Sequence, residues 1–524
     1  MAFRSLDANI AMSNRLLLIL FTSVACSEIQ AQAQFDCVAP AAPVLTAPTV
    51  LGNGNPGSVS TAQLQSALDG GGAIRLNVGA STISLSAELT ITRETILDAN
   101  GATLSGMGAR RVLRVTNPSN LVYTFTLLNA TIANGSTPIG SGAGLWKPTG
   151  GPWQAVTIRV FDTRFTNNIA IAIAQDDGGG AIYAVGAREL TLVRTLADGN
   201  RGANGGAVYS LGSKTINLFD TTLSGNAATG TGGNPGNGGN AGAFGIDGAD
   251  RHVNLCRTRL LGNTANAYGG GLFTTVYDQT SFTRIVDSTI HGNESTGTSN
   301  AHTGGAYIQG GPFLISGSTF RGNRAAGYGG LSLFNHGGTT TSGLIVNSTF
   351  VGNVARTGLG GAINMAATGG VTIQNVTIAD NVAECAVCFA GGISNSAGAP
   401  LTLRNVLFRN NTGGNAWNPW NLLNAPVSGS HNVQWPQIRP VSNQAETAVT
   451  AGAMFANIAL GAPTLQGGLT ETMALPAASA ANDAGTATSA PAVDQRGMPR
   501  FGAVDIGAYE AQPDLIFRNG FDLP

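Results

Sequence analysis

Lysine is nearly missing from this chain of 524 residues, occurring only at Lys147 and Lys214. Charged residues make up 10 %, against a usual ~25 %, and the formal net charge is −1. No basic stripe exists to neutralise a phosphate backbone, so nucleic acid is not an expected partner. Aromatic residues are 6 % of the chain, too few for a set of conventional aromatic-rich cores. Past residue 33 no apolar run reaches the ~18 residues that mark a membrane helix, so no transmembrane span is expected. Long charge runs are absent as well, and with 43 % apolar residues disorder is not expected. What the chain has in excess is glycine, 74 residues, about twice average usage. A glycine-rich, charge-poor chain with many short apolar stretches suggests stacked strands joined by tight turns.

The N-terminus carries an address. Arg15 precedes the apolar run at residues 16–25, and Ala31-Gln32-Ala33 supplies a small-x-small cleavage site. Charged region, short apolar region and A-x-A site read together as a secretory signal peptide over residues 1–33, with Met12 an alternative start. A lipoprotein at Cys26 is the weaker reading, because Ser23-Val24-Ala25 lacks the expected leucine. A secreted or outer-surface location follows. The remaining cysteines are Cys37, Cys256, Cys385 and Cys388. An even count in an exported chain favours disulfides, and Cys385-Ala-Val-Cys388 is a candidate local bridge. Zinc would need two more ligands, and no second C-x-x-C or paired histidine lies nearby.

One pattern recurs: an acidic or amide residue, two small residues, an apolar residue, two further positions and Asn. It stands as Asp162-Thr-Arg-Phe165-Thr-Asn-Asn168 and again ending at Asn226, Asn293, Asn353 and Asn381. Variants end at Asn263, Asn323 and Asn411, with degenerate copies near Asn134 and Asn200. From Asn263 onward the repeat is about thirty residues. After each Asn comes Gly-Gly and a small or apolar residue, as in Gly179-Gly180-Ala181-Ile182 and Gly304-Gly305-Ala306-Tyr307.

Apolar runs this short, alternating with period two, are strands. A unit with two or three of them cannot bury its apolar face alone, whereas stacked units bury it continuously at ~4.8 Å per coil. The pattern therefore predicts an all-β, right-handed parallel β-helix of about eleven coils, some 50–55 Å long. The repeated Asn is expected at a corner of every coil, where it tolerates a left-handed backbone and bonds the next Asn in the stack. Residues 34–59 are a lead-in and residues 60–411 the β-helix. Ser60-Thr-Ala-Gln-Leu64-Gln-Ser-Ala67-Leu68 reads as an amphipathic helix capping the first coil. Strands are expected at 74–78, 83–85, 89–91 and 95–98. Residues 412–510, without visible repeats, read as final irregular coils and an end cap, followed by a tail, 511–524.

The alternating Phe-x-x-Asn and Gly-Gly-Ala-Ile motifs resemble the repeats of polymorphic outer membrane proteins, which belong to the pectin-lyase-like β-helix superfamily. The segment Gly467-Gly-Leu-Thr470…Leu475-Pro476…Asp483-Ala-Gly485…Asp494-Gln-Arg-Gly497…Asp505-Ile-Gly-Ala-Tyr-Glu510 resembles the choice-of-anchor Q domain of exported bacterial β-helix proteins. The two resemblances span about residues 60–510 and imply surface attachment. The tail at 516–522 is similar to a short element on some exported gammaproteobacterial proteins. Residues after Asn411 lack the ten-residue alternating strands of a translocator barrel, so self-secretion is not expected.

Catalysis has to be tested by site, since this superfamily includes lyases and hydrolases. Asp176-Asp177 is the only adjacent acidic pair before the C-terminal segment, and a hydrolase needs two carboxylates. The companion Gly-His-Gly and Arg-Ile-Lys motifs of polygalacturonases are missing, and Asn335-His336-Gly337 lies far along the chain. A lyase needs a basic residue, for which Lys147 is the candidate, often with Ca²⁺ held by acidic groups. Asp247, Asp250 and His252 form the other acidic cluster. Asp162, Asp220 and Asp287 occupy the slot that Asn347 and Asn375 fill elsewhere, which makes them stacking residues. Trp146 and Trp153 flank a Gly/Pro-rich insertion, and Trp417 and Trp420 lie just past the repeats; such residues stack on sugar rings or pack on the rod. Residues 230–242 read as a loop on one face. No coherent catalytic set emerges. The expected function is adhesion or glycan binding along an extended surface, toward a glycan or a host or cell-surface component. The alternative is a polysaccharide lyase or glycoside hydrolase. A monomer without cofactor is expected, with Ca²⁺ needed only for a lyase.

Overall fold

Each coil solves the same problem, the burial of three short apolar strands that cannot form a core alone. The computed structural model describes residues 37–512, apart from 138, 139, 173, 234–236, 300, 367 and 368. The leader, its cleavage site, Cys26 and the tail motif at 516–522 lie outside the described residues. The body is a right-handed parallel β-helix of about eleven coils. Its strands stack in register into three parallel sheets of 25, 11 and 10 strands. The largest forms a bent face, with two strands per coil that merge into one at Ser342–Val351. The 11-stranded sheet follows the Gly-Gly turns and is here the glycine face; the third, of two-residue strands after each ladder Asn, is the asparagine face.

The apolar residue of the repeat points inward in every coil. Phe165, Ala197, Leu223, Leu260, Ile290, Phe320, Phe350, Ile378 and Phe408 align as one buried column. Phe320 and Phe350 stack with ring centroids 4.6 Å apart. Of the strands expected in the first coils, Leu89–Ile91 and Thr95–Asp98 form as read, and the others start one or two residues earlier, at Gly72–Leu76 and Thr82–Ser84.

The asparagines form a continuous buried ladder. The Nδ2 of Asn168 donates to Oδ1 of Asn200 at 2.9 Å, and that link repeats through Asn226, Asn263, Asn293, Asn323, Asn353, Asn381 and Asn411. Each Oδ1 also accepts the backbone N–H of the Asn one coil earlier, as Asn323 does from Asn293 at 3.0 Å. The left-handed backbone sits elsewhere. It falls on the residue before the ladder Asn, with φ of 53° at Asn167 and 64° at Gly292. The corner is thus divided between two residues: one takes the strained conformation, and the next holds an amide that satisfies buried backbone groups. Asn134 takes the left-handed position, and the N–H of Gly135 donates to the Oδ1 of Asn168.

Both ends of the stack are covered. The helix Thr61–Gly70 is N-capped by Ser60 in a capping box with Gln63, and it buries Leu64 and Leu68. Its Gln65 side chain imitates a missing strand: Oε1 accepts from Thr90 N at 2.8 Å, and Nε2 donates to Thr90 O at 2.9 Å. The strand Thr49–Leu51, ahead of the helix, pairs with Gly72–Leu76 and covers the edge of the bent face. At the far end Ser428–Ser430, Val433–Trp435 and Met454–Phe455 continue the bent face.

The C-terminal segment then does not act as an end cap. It doubles back along the bend of the large sheet, where the left-handed corner residues Asn347, Asn375 and Asn405 offer side-chain amides. Asn347 Nδ2 donates to Val493 O at 2.8 Å, and Asn405 Oδ1 accepts from Thr486 N at 2.8 Å. Gln495, fully inside, bonds Thr319, Thr349 and Thr470. Arg496–Asp494 and Arg500–Glu510, each 2.7 Å apart, tie the segment to itself with almost no solvent access. In the earlier coils the same corner carries charge, with Asp162 bonded by Arg194 and Asp220 by Arg257. Asp287 follows in the stack, its pKa raised by burial against the opposing pull of Arg257. Cys385 and Cys388 are joined by a disulfide, and Cys256 is also disulfide-bonded. No helix among the described residues is long and apolar enough to cross a membrane.

Candidate functional site on the glycine face

Period-two alternation gives the glycine-face strands an inner and an outer column. Leu145, Ile182, Val208, Phe244, Leu272 and Ala306 point into the core. The residue after each faces outward: Trp146, Tyr183, Tyr209, Gly245, Phe273 and Tyr307 lie in register over successive coils. Tyr183 stacks on Tyr209 at 6.2 Å and Phe273 on Tyr307 at 5.4 Å. Gly245 interrupts the column, because the Tyr209 ring occupies the space a β-carbon would need there. These rings are covered by the loops and form a small second apolar layer outside the main core.

Above this layer lie two hollows. One, of about 360 Å³, is lined by Trp146, Pro148, Asp176, Asp177, Tyr183 and Val185. The other, of about 260 Å³, is lined by Tyr268, Phe273, Thr275, Tyr277, Gln309 and His336, with Tyr307. Tyr183 and Phe273 are three coils apart in register, which sets the hollows ~14 Å from each other along the rod. Between them lies Asp247, in the outward column Val185, Leu211, Asp247, Thr275 and Gln309. The Tyr277 hydroxyl donates to its carboxylate.

Two exposed rings line the edge where the glycine face turns into the bent face. Trp153 is 55 % exposed, yet its indole is seated on Gly186 and Gly212, and a β-carbon on Gly186 would come within 2.6 Å of the ring. Tyr277, 44 % exposed, stacks on His336 at 4.4 Å. Trp146 is half-buried, with the guanidinium of Arg111 4.1 Å from its ring centre. The insertion tryptophans therefore flank one groove, and a floor of glycines is what lets Trp153 lie down. Trp417 is exposed and Trp420 buried at the other end of the rod.

The local field is negative. Among the residues described as lining the hollows, only Asp176 and Asp177 carry Asp, Glu, Lys or Arg side chains. Burial, then Asp176 and Asp177, push the Tyr183 phenol up. Burial, then the hydrogen bond to Asp247, does the same to Tyr277, with a further contribution from Asp176.

The structure separates the residues on which catalysis was weighed. Lys147 alternates onto the inner side of its strand and is 3 % exposed, its Nζ donating to the carbonyls of Val185 and Pro148 at 2.7 and 3.1 Å. Burial draws its pKa down to about 8, but it does not line the hollow beside it. Asp177 accepts from Ser141 Oγ at 3.1 Å and from Ala174 N at 3.2 Å, bonds that shape its turn. Asp250 pairs with Lys214 at 3.4 Å, and His252 stands on the bent face beyond the turn, so the group with Asp247 is dispersed. Among the described residues no three His, Cys, Asp or Glu side chains converge as metal ligands, so a Ca²⁺ ion would find no acidic set there. Tyr277 and Tyr268 were not singled out in the sequence, and His336 stood out only within Asn335-His336-Gly337.

The strand pairings define the class: a right-handed parallel β-helix protein with an aromatic-lined groove on one face. No family model matches the chain, and no curated protein matches it. Among solved structures it is similar to the crystal structure of pectate lyase Pel9A, at 14 % identity and a TM-score of 0.34, covering 89 % of this chain and 96 % of that one.

Proposed function

We infer that this is an exported β-helix protein that binds a glycan along the groove of the glycine face. The observation that carries this reading is Trp153, held on Gly186 and Gly212 with its other side open to solvent, on the same edge as exposed Tyr277. An aromatic face presented rigidly beside polar groups is the surface on which a sugar ring stacks. Gln309, partly exposed at the second hollow, supplies a side-chain amide beside the rings. Export and surface attachment rest on the leader at 1–33 and on the resemblance of residues 467–510 to choice-of-anchor Q domains and of the repeats to polymorphic outer membrane proteins.

The test is titration of the full chain with a panel of oligosaccharides, followed by tryptophan fluorescence and calorimetry. Binding is expected, and it is expected to be lost in Trp153→Ala and weakened in Tyr277→Ala while both variants melt like the parent. Absence of binding across the panel would overturn the reading. Release of reducing ends or unsaturated products that stops in Asp176→Asn or Asp177→Asn would replace it with catalysis.

A further inference from the structure

The charge of the groove narrows the class of glycan, and this step rests on the glycan-binding reading. Asp176 and Asp177 stand at the first hollow, and Asp247 lies between the two. Asp250 and Asp278 lie on the adjoining turn, where Asp278 accepts the backbone N–H of Asp250. Three cations of this region are paired with carboxylates, and the fourth is buried. Arg251 is buried beside these aspartates and donates to the Asp250 carbonyl, and Lys214 pairs with Asp250. At the N-terminal end Arg111 and Arg114 lie over Trp146, and both pair with Glu88, at 2.5 and 3.8 Å.

We propose that the groove takes a glycan bearing free amino groups, such as a deacetylated hexosamine chain, and rejects one bearing carboxylates. Two effects act in the same direction. A polyuronate would bring like charge onto Asp176 and Asp177, with Asp247 buried beneath, in a site where Lys214, Arg111 and Arg114 are already paired. An ammonium group meets those carboxylates and also the electron-rich faces of Trp153 and Tyr277. The raised phenols of Tyr183 and Tyr277 report the same negative field, after burial. A chain laid parallel to the rod axis passes both hollows and crosses Asp247 between them.

The experiment compares three probes of equal length on the full chain: glucosamine oligomers, neutral gluco-oligomers and galacturonate oligomers. Glucosamine oligomers are expected to bind about tenfold more tightly than neutral ones, a ratio that two or three partly exposed ion pairs supply. That preference should shrink with added salt and vanish in Asp176→Asn/Asp177→Asn, read as the ratio of amino-oligomer to neutral-oligomer affinity within that variant. Equal affinity for amino and neutral oligomers would overturn the proposal, as would tighter binding of galacturonate. Failure of all three to bind would instead sink the glycan reading on which it rests.

Discussion

Tyr277 and Asp247 are joined across one coil: the phenol donates to a carboxylate that lies in register with Thr275, two residues before the tyrosine. This bond steers a 44 % exposed ring over the groove, and stacking on His336 holds its other side. Asp247→Ala is therefore expected to free the ring without touching the core. Oligosaccharide affinity should fall about fivefold to tenfold, the cost of ordering the freed ring on binding. Calorimetric titration checks this, with an unchanged circular dichroism spectrum as the control.

A second expectation concerns the seat of Trp153. Gly186 and Gly212 have φ of 61° and 64°, and the indole fills the space of their missing side chains. Gly186→Val should displace the ring and cost about 1–2 kcal/mol from the left-handed backbone alone. The emission of Trp153 should shift to longer wavelength, and glycan binding should be lost as in Trp153→Ala. Unaltered emission in Gly186→Val would show that the ring does not rest there.

The asparagine ladder predicts a large stability effect, because its members are fully buried. Asn293 accepts from the backbone and side chain of Asn263 and donates to Leu260 O, all out of solvent. Asn293→Ala leaves those buried groups without partners and should destabilise the chain by about 2–4 kcal/mol. Denaturant titration measures it, and Asn335→Ala, outside the ladder, serves as the comparison.

Lys147 makes the stability depend on pH with a definite sign. Its folded pKa, about 8, lies below the ordinary lysine value of 10.5, so the fold favours the neutral amine. The resulting stabilisation is complete above pH 10.5 and is lost as pH falls through about 8. Melting curves should show Lys147→Met gaining on the parent as pH is lowered across that window. A constant difference would mean that the ammonium is better satisfied than two carbonyls suggest.

Asp505 acts in the opposite sense within the returning C-terminal segment. Burial pushes its pKa up to about 6 from 3.8; Glu510 and Asp483 add to the rise, and the N–H groups of Ala511 and Asp483 oppose it. Its stabilising contribution is complete below pH 3.8 and is lost as pH rises through about 6. Limited proteolysis of residues 470–510 should accordingly be slower in Asp505→Asn than in the parent above pH 6, with the two converging below it.

Much of the fold was legible because it is periodic. One inward apolar position, one amide and one Gly-Gly turn per coil are enough to dictate in-register stacking, since no other arrangement buries a thirty-residue unit of short strands. The capping helix was legible from Ser60, Gln63 and the spacing of Leu64 and Leu68. Residues 456–510 were not, because what they pack against is the corner column Asn347, Asn375 and Asn405, whose side-chain amides come together only once the coils have closed.

The candidate groove divides in the same way. Trp146 and Trp153 stood out in the sequence as tryptophans flanking an insertion, and Asp176 and Asp177 as an adjacent acidic pair. The sequence also determined the alternation that turns Tyr183 and Tyr209 outward, because a strand admits only two sides. Only the tertiary structure decided that Lys147 points inward, that Asp247 leaves His252 for Tyr277, and that Trp153 finds two glycines to lie on. Those outcomes depend on which coil neighbours which. Register between coils is a long-range property, set by packing across about thirty residues of chain that no local pattern records.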